Sequence, residues 1–333
     1  MPRPVKIFLC EFITGGGLAG QSLPPALASE GDAILRAALG DFCALNDCRI
    51  TVTRDPRMPA LDQKVEILNV RVEPWDLWRR CISAADAALI IAPETGGVLE
   101  RFNRMVEDAG RLLLGCTSAA VAVAASKIAT IRALASHGVA VPETVYLGQR
   151  LPESGRGYVV KPDDGAGSED TFFFEDAEAL SEWRPADEGR AWVMQPYVQG
   201  RAMSLALLCS RGHAGVLAVN EQIQIHEGME LRQTGTLVNA RPQQRPIMQG
   251  LADLLMNLIP GLRGFVGVDY IETVAGPVVL EINPRLTTSY VAMSDSLGIN
   301  TAQLILDACL ERKATTTRTL GARTVRVEVP HHA

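Results

Sequence analysis

The chain has 333 residues, of which 47% are hydrophobic and 21% are charged, enough for a large core in two or three units. The net charge of −6 excludes a general nucleic-acid binder, because phosphate backbones require clustered cations. Apolar runs such as residues 84–93 are far shorter than the roughly 20 residues of a membrane helix, and residues 5–10 are too short for a signal peptide core. Seven cysteines without CxxC spacing are typical of free thiols in a reducing compartment. We therefore expect a cytoplasmic protein with neither a membrane nor a nucleic acid as partner.

The first part of the chain alternates short apolar runs with helical patterns. Strands are predicted at residues 5–10, 50–53, 65–70, 87–92 and 112–115, and helices at 25–45, 77–85 and 98–110. This alternation predicts a parallel sheet with helices on its faces and ligands at the carboxyl ends of the strands. Two loops follow such ends, one starting at Glu11 and containing three consecutive glycines, the other containing Glu94. Each glutamate is a candidate for substrate binding or, equally, a structural carboxylate at a helix start.

Lysine is rare in this chain, with five lysines among 32 basic residues, and two of the five lie in suggestive places. Lys127 falls inside a predicted alanine-rich helix at 118–137, and Lys161 ends a predicted strand at 158–161. The glycine-containing loop 162–168 follows Lys161 and leads into a strand at 171–174. A lysine beside a small flexible loop predicts a lid over phosphates, although a plain hairpin turn explains the glycines equally well.

The next segment, residues 192–200, runs from a predicted strand into an extended connector. Its backbone could pair with the edge of an adenine, or it could be a simple domain linker. The remaining predicted strands are 139–147, 201–208, 214–220 and 325–329, and the remaining helices are 246–258 and 302–312.

The richest chemistry lies on a predicted hairpin of residues 265–273 and 278–282, joined by the turn 275–277. Counting back from the turn places Asp269 opposite Glu281 within about one residue. Asn283 shares a face with Glu281 because strand side chains alternate. These hard oxygen ligands suit Mg²⁺, and Arg285 follows as a fork for a phosphoryl group or a carboxylate. The alternative is a surface hairpin with solvated charges.

Taken in order, the two lysines, the glycine loop, the connector and the hairpin resemble the ATP-grasp superfamily from about residue 118 to 290. The resemblance implies an α/β plus α+β architecture: an ATP-grasp fold with an N-terminal Rossmann-like domain. The implied domains are residues 1–116 for the Rossmann-like domain, 117–195 for a central lobe with the lid, and 196–333 for a C-terminal lobe with the metal site. ATP would lie between the two lobes.

The resemblance also implies a role for each motif. The implied phosphate and lid contacts are Lys127, Lys161, Gly165, Ala166, Gly167 and Ser168, and the adenine contacts are Gln195, Tyr197 and Val198. The implied ligands of Mg²⁺, two ions for which Mn²⁺ could substitute, are Asp269, Glu281 and Asn283. Arg285 and Lys161 are the implied catalytic residues. Many relatives place a ribose-binding glutamate where Arg201, Ala202 and Met203 stand here, so ribose recognition stays open.

Three further segments, residues 8–18, 91–95 and 283–290, resemble the tyramine–glutamate ligase group of this superfamily. That likeness implies a carboxylate–amine ligase that joins the γ-carboxylate of L-glutamate to an amine such as tyramine or tyrosine through an acyl phosphate, in methanofuran or methylofuran-type cofactor biosynthesis. The implied substrate-binding residues are Glu11, Thr14, Gly16, Glu94, Thr287, Thr288 and Ser289. The alternatives are another amino-acid ligase, making a dipeptide or a polyglutamate tail, and an ATP-binding protein without ligase activity. A homodimer is possible, because dimers are common in such ligases.

Overall fold

The computed structural model describes residues 3–153, 155–165, 170–187, 189–210, 212–311 and 320–329. The first of its two sheets is parallel and consists of β1 (Val5–Glu11), β2 (Cys48–Arg54), β3 (Glu66–Asn69), β4 (Ala87–Ile91) and β5 (Leu112–Leu113). The strand order is β3-β2-β1-β4-β5, and every pair is parallel. The connecting helices are α1 (Pro25–Cys43), α2 (Trp75–Ala84) and α3 (Val98–Asp108). The predicted α/β unit is confirmed.

The second sheet is antiparallel, and six helices lie between or beside its strands in the chain order of the described residues. Its strands are β6 (Val145–Tyr146), β7 (Tyr158–Pro162), β8 (Phe172–Phe174), β9 (Trp192–Pro196), β10 (Arg201–Ser210), β11 (His213–Glu227), β12 (Glu230–Val238), β13 (Gly264–Thr273), β14 (Gly276–Asn283) and β15 (Val325–Glu328). They follow the order β14-β13-β10-β11-β12-β8-β7-β9-β6, with β15 beside β12. The helices of this part are α4 (Ser118–Ala124), α5 (Lys127–Ala135), α6 (Ala177–Glu182), α7 (Arg245–Leu258), α8 (Met293–Leu297) and α9 (Thr301–Cys309).

The prediction of one continuous helix over 118–137 is wrong. The structure has two helices, α4 and α5, bent by 90° at the break between them. Ser126 caps α5 by accepting a hydrogen bond from the Ala129 N–H, and Asp163 accepts further bonds from the N–H groups of Lys127 and Ile128. These acceptors satisfy the free N–H groups of a helix start. Lys127 therefore lies at the beginning of a helix that is anchored to the end of β7.

Two strand predictions need correction, and one strand was not predicted. The predicted strand 139–147 is paired only at Val145–Tyr146, and the run contains Pro142, which has no N–H to donate to a ladder. The predicted strand 214–220 continues to Glu227, and it pairs with β12, which the sequence reading missed. The signal was present, because polar residues alternate with Ile223 and Ile225 in a period-two pattern.

The predicted hairpin is confirmed, including its register. Asp269 of β13 pairs directly with Glu281 of β14, and Gly267 pairs with Asn283. A bulge follows between Asp269 and Tyr270. On its other edge β13 pairs with β10, with Asp269 beside Ser204, so Asp269 lies on an interior strand, whereas Glu281 lies on β14 at the edge of the sheet.

The parallel sheet packs directly against the second half of the chain. One continuous core joins α1 and β1 to β10, β13 and the segment after β14, through residues such as Leu39, Phe265 and Leu286. The Tyr290 hydroxyl donates a hydrogen bond of 2.8 Å to Asp41 of α1. The segment that follows Arg285 is thereby held against the first sheet.

Among the described residues, no single helix is long and apolar enough to cross a membrane, and the one combination that meets the length and composition criteria is the sharply bent pair α4 and α5.

Candidate active site

The core of the site is a pair of partly buried carboxylates on neighbouring strands. Asp269 accepts hydrogen bonds from the side-chain amides of Gln222, at 3.0 Å, and Asn283, at 3.1 Å. Glu281 Oε2 lies 3.3 Å from Lys127 Nζ and 3.8 Å from Lys161 Nζ. The helix break and the strand register thus bring together residues that are far apart in the sequence.

The two acids hold their protons very differently. Burial and the adjacent Glu281 carboxylate raise the pKa of Asp269 to about 8. Burial acts to raise the pKa of Glu281 as well, but Lys127 and Lys161 outweigh it and hold the pKa of Glu281 at about 2. At neutral pH, without a metal ion, the pair therefore shares one proton on the Asp269 side, because two adjacent, partly buried carboxylates resist ionising together.

The lysines beside the acids are buried. Burial lowers the pKa of Lys161, with Glu281 opposing that shift. The Lys127 ammonium also donates to the carbonyl oxygen of Gly165, at 2.8 Å. Gly165 is the first residue of the predicted lid, and the other three, Ala166, Gly167 and Ser168, lie outside the described residues.

A first cavity, of about 120 Å³, adjoins this cluster between β7, β9 and β11. Residues predicted to bind the nucleotide line it: Lys127, Lys161, Gly165, Gln195, Tyr197 and Val198. The Gln195 side chain donates to the Thr144 hydroxyl at 2.9 Å. The remaining walls of the cavity include apolar side chains such as Leu231, Ile271 and Leu280, a suitable surface for a flat base.

A second cavity, of about 500 Å³, lies between α1, the loops after β1 and β4, and the end of β14. Arg285, Thr287, Thr288 and Ser289 line this cavity, as does Glu11. Asp269 and Glu281 border both cavities. The carboxylate pair is therefore the junction through which a group in one cavity can reach a group in the other.

Arg285 and Glu94 form a buried ion pair across the two halves of the molecule. Arg285 Nε lies 3.0 and 3.1 Å from the two Glu94 oxygens, and Glu94 is only 5% exposed. Burial acts to lower the pKa of Arg285, but Glu94 and Glu30 outweigh it and raise that pKa. Glu94 thus contacts the residue predicted to be catalytic, and it orients the guanidinium.

The triple-glycine loop is mostly structural. The Glu11 carboxylate accepts hydrogen bonds from the N–H groups of Ile13 and Thr14 and from the Thr14 hydroxyl. Burial raises the pKa of Glu11. Thr14 is fully buried, and Gly16 adopts φ +101° with its Cα facing Val70, a conformation that favours glycine. Thr14 and Gly16 do not line the second cavity, whereas Glu11 does.

Several side chains that line the site were not predicted from the sequence. Gln222 borders both cavities, and Gln224 lines the first. Both lie on the part of β11 beyond the predicted strand end. Arg190 lines the second cavity and pairs with Asp164 at 3.1 Å. Asp164 in turn accepts from the Gly96 N–H at 3.0 Å, which links the base of the predicted lid to the loop after β4.

Comparisons with known proteins agree with this geometry. The sequence matches the family described as ATP-grasp domain over residues 124–289, and the family described as pre ATP-grasp 3 domain over residues 48–121. The crystal structure of an ATP-grasp superfamily protein from Archaeoglobus fulgidus superposes with a TM-score of 0.73 and 26% identity, covering 97% of this chain and 92% of that one. The chain belongs to the ATP-grasp superfamily, and the expected ATP-grasp fold with its N-terminal Rossmann-like domain is confirmed.

The curated relatives are more specific. Tyramine–L-glutamate ligases from Methanocaldococcus jannaschii and Methanocaldococcus fervens are 28% and 29% identical to this chain over 204 residues. The matched segment is 61% of this chain but 57% and 60% of the length of those relatives.

The residues present fit a magnesium ion. Asp269, Glu281 and Asn283 supply hard oxygen donors at one place, and burial together with repulsion from the adjacent Glu281 carboxylate raises the pKa of Asp269 to about 8. A divalent cation would relieve that repulsion, because opposite charge favours the ionised form of a carboxyl group. The number of ions stays a prediction.

This electrostatic arrangement predicts an unusual pH dependence of stability. The raised pKa of Asp269 means that, between about pH 4 and pH 8, the folded metal-free protein holds a proton which the unfolded chain has released. Asp269 therefore stabilises the fold at low pH, and this contribution is lost as the pH rises toward 8. We expect Asp269→Asn to melt a few degrees higher than the parent protein at pH 8, with a smaller difference at pH 5, in thermal melts with EDTA. Saturating Mg²⁺ and ATP should reverse the order, and a variant that melts lower at pH 8 with EDTA would contradict the assignment.

Proposed function

We propose that the protein is an ATP-dependent carboxylate–amine ligase that joins L-glutamate, through its γ-carboxylate, to an amine such as tyramine or tyrosine, in methanofuran or methylofuran-type cofactor biosynthesis. The observation that carries the proposal is the position of Asp269 and Glu281, which border both the first and the second cavity. The resemblance to tyramine–L-glutamate ligases supports the choice of substrates.

The chemistry that this arrangement can perform has two steps. A carboxylate oxygen first attacks the γ-phosphorus of ATP, the bond to ADP breaks, and an acyl phosphate forms. The amine, after it has released its ammonium proton to solvent, then attacks the acyl carbon through its nitrogen; a C–N bond forms, the C–O bond to phosphate breaks, and the second proton lost by the nitrogen leaves with the phosphate. The intermediate is needed because hydroxide is a poor leaving group, whereas phosphate leaves readily.

The proposed roles of the residues follow from their positions. Lys127 and Lys161 bind phosphate oxygens from the first cavity, and Arg285 stabilises charge on the side of the second cavity. Asp269, Glu281 and Asn283 hold Mg²⁺, which neutralises phosphate charge when bound. Gln195, Tyr197 and Val198 receive the base, and the 166–168 segment completes the proposed lid over the phosphates. Thr287, Thr288 and Ser289 bind the acyl donor.

An ADP-release assay tests the proposal. We expect ADP release with Mg-ATP and L-glutamate to rise well above the ATP-only background when tyramine or tyrosine is added, and mass spectrometry to detect the γ-glutamyl amide. A second amino acid that stimulates release more than any aromatic amine would favour a dipeptide or polyglutamate ligase. No turnover with any acid and amine pair would reject the ligase function.

A further inference from the structure

The second cavity contains an acid that the proposed ATP chemistry does not use. Helix α1 presents Leu27, Glu30, Gly31 and Ile34 to this cavity, at the spacing of residues that share one helix face. Glu30 is the one carboxylate of that face. It accepts a hydrogen bond from the Thr288 hydroxyl, which places it beside the segment that follows Arg285.

Glu30 is in none of the ion pairs formed by the described residues, although its charge acts on Arg285 at longer range. The cations around it are already paired. Arg285 pairs with Glu94, Arg190 pairs with Asp164 and Asp170, and the two lysines pair with Glu281. Glu11, the other acid on this side of the cavity, has its oxygens occupied by local N–H and hydroxyl donors. A partly buried carboxylate with a single hydroxyl partner retains the capacity to bind a cation.

The wall next to Glu30 is apolar. Phe12, Leu18, Leu27 and Val98 line the cavity and are each half-buried. Phe12 is fixed by ring contacts to Trp78 and Phe102, with centroids 5.8 and 6.5 Å away. Half-buried apolar side chains on a rigid support leave hydrophobic area for a ligand to cover.

We propose that Glu30 and this apolar wall bind the acceptor substrate of the ligase, a primary ammonium carried on an aromatic or alkyl body. The proposal rests on the proposed function. The Glu30 carboxylate binds the ammonium group, the wall covers the apolar body, and Thr288 fixes the rotamer of Glu30. The amine is thereby held in the same cavity as Arg285, on the side of the carboxylate pair where the acyl group would form.

Calorimetric titration of tyramine into the full chain, with Mg²⁺, a non-hydrolysable ATP analogue and L-glutamate, tests the site without any turnover. We expect Glu30→Gln to weaken tyramine binding about 10-fold or more, as for loss of one charge-assisted hydrogen bond. The neutral isostere of tyramine, in which a hydroxyl replaces the amine, should bind weakly to both proteins and show no such difference. Glu100→Gln on α3, outside the cavity, is the matched control, and circular dichroism verifies that each variant is folded.

Kinetics separate this site from the acyl-donor site. Glu30→Gln should raise the KM of the amine about 10-fold and leave the KM values of ATP and L-glutamate within about twofold. A raised KM for glutamate with an unchanged KM for the amine would overturn the proposal, as would failure of the parent protein to bind any tested amine. Tyramine binding that depends on Glu30, without any ADP release, would reject the ligase function while retaining the amine site.

Discussion

Replacing Glu281 by glutamine is expected to lower kcat about 1,000-fold, which corresponds to about 4 kcal/mol of lost transition-state stabilisation. Glu281 is the ionised member of the carboxylate pair, and it lies next to both buried lysines. Glutamine keeps the shape of the side chain but removes the charge that a metal ion needs and that orients Lys127 and Lys161. Steady-state ADP release with Mg-ATP, L-glutamate and tyramine measures the effect.

The matched control for this change is Glu272→Gln. Glu272 lies on the same hairpin, borders neither cavity and accepts a hydrogen bond from Gln244. The kcat of the Glu272→Gln variant should therefore stay within about twofold of the parent value. Circular dichroism should show that Glu281→Gln keeps the fold. A folded Glu281→Gln protein with activity close to the parent would show that the metal site lies elsewhere.

Replacing Arg285 by lysine is expected to lower kcat about 100-fold. Lysine retains the positive charge but lacks the planar guanidinium group with its several N–H donors. Arginine and lysine are therefore not interchangeable at a site with several acceptors. In the structure the Arg285 Nε group faces both oxygens of Glu94, and the other side of the guanidinium donates to the Leu286 carbonyl. Because the residue lines the second cavity, we expect a displaced cation there to stabilise the reacting phosphoryl group less well.

Glu94→Gln is the informative companion of this variant. Glutamine can still accept a hydrogen bond from Arg285, so we expect a kcat loss well below that of Arg285→Lys, with a higher KM for substrate and little change in the KM for ATP. A double-mutant cycle then measures the coupling between the two residues. If Arg285→Lys lowers the melting temperature and leaves kcat unchanged, the ion pair only joins the two halves of the molecule.

Short-range signals accounted for much of the fold. The alternation of strands and helices before residue 113 predicted the parallel sheet, because each element carries its own period of burial. The hairpin register followed from the turn, and Asp269 does face Glu281. The break at Ser126 was missed because it depends on Asp163, a residue 37 positions away whose hydrogen bonds replace those of a continuous helix.

The missed site residues have a similar cause. Gln222 acquires its place only when β11 continues beyond Asn220 and pairs with β12. Glu30 is one of several polar residues on an amphipathic helix, and no local pattern distinguishes it from a solvated charge. Only the packing of α1 against the Leu286 to Tyr290 segment turns it toward the cavity.

The sequence by itself determined most of the elements, the family resemblance and the chemical nature of the two acids, the amide and the arginine, because periodicity and turn chemistry act over a few residues. Tertiary structure alone decided the state of those groups. Two buried lysines from separate elements keep Glu281 ionised, and its negative charge together with burial keeps the proton on Asp269. Tertiary structure also decided that Glu94 pairs with Arg285 and that Glu30 is in no ion pair among the described residues. Charge interactions depend on distance and burial, and both are properties of the folded chain.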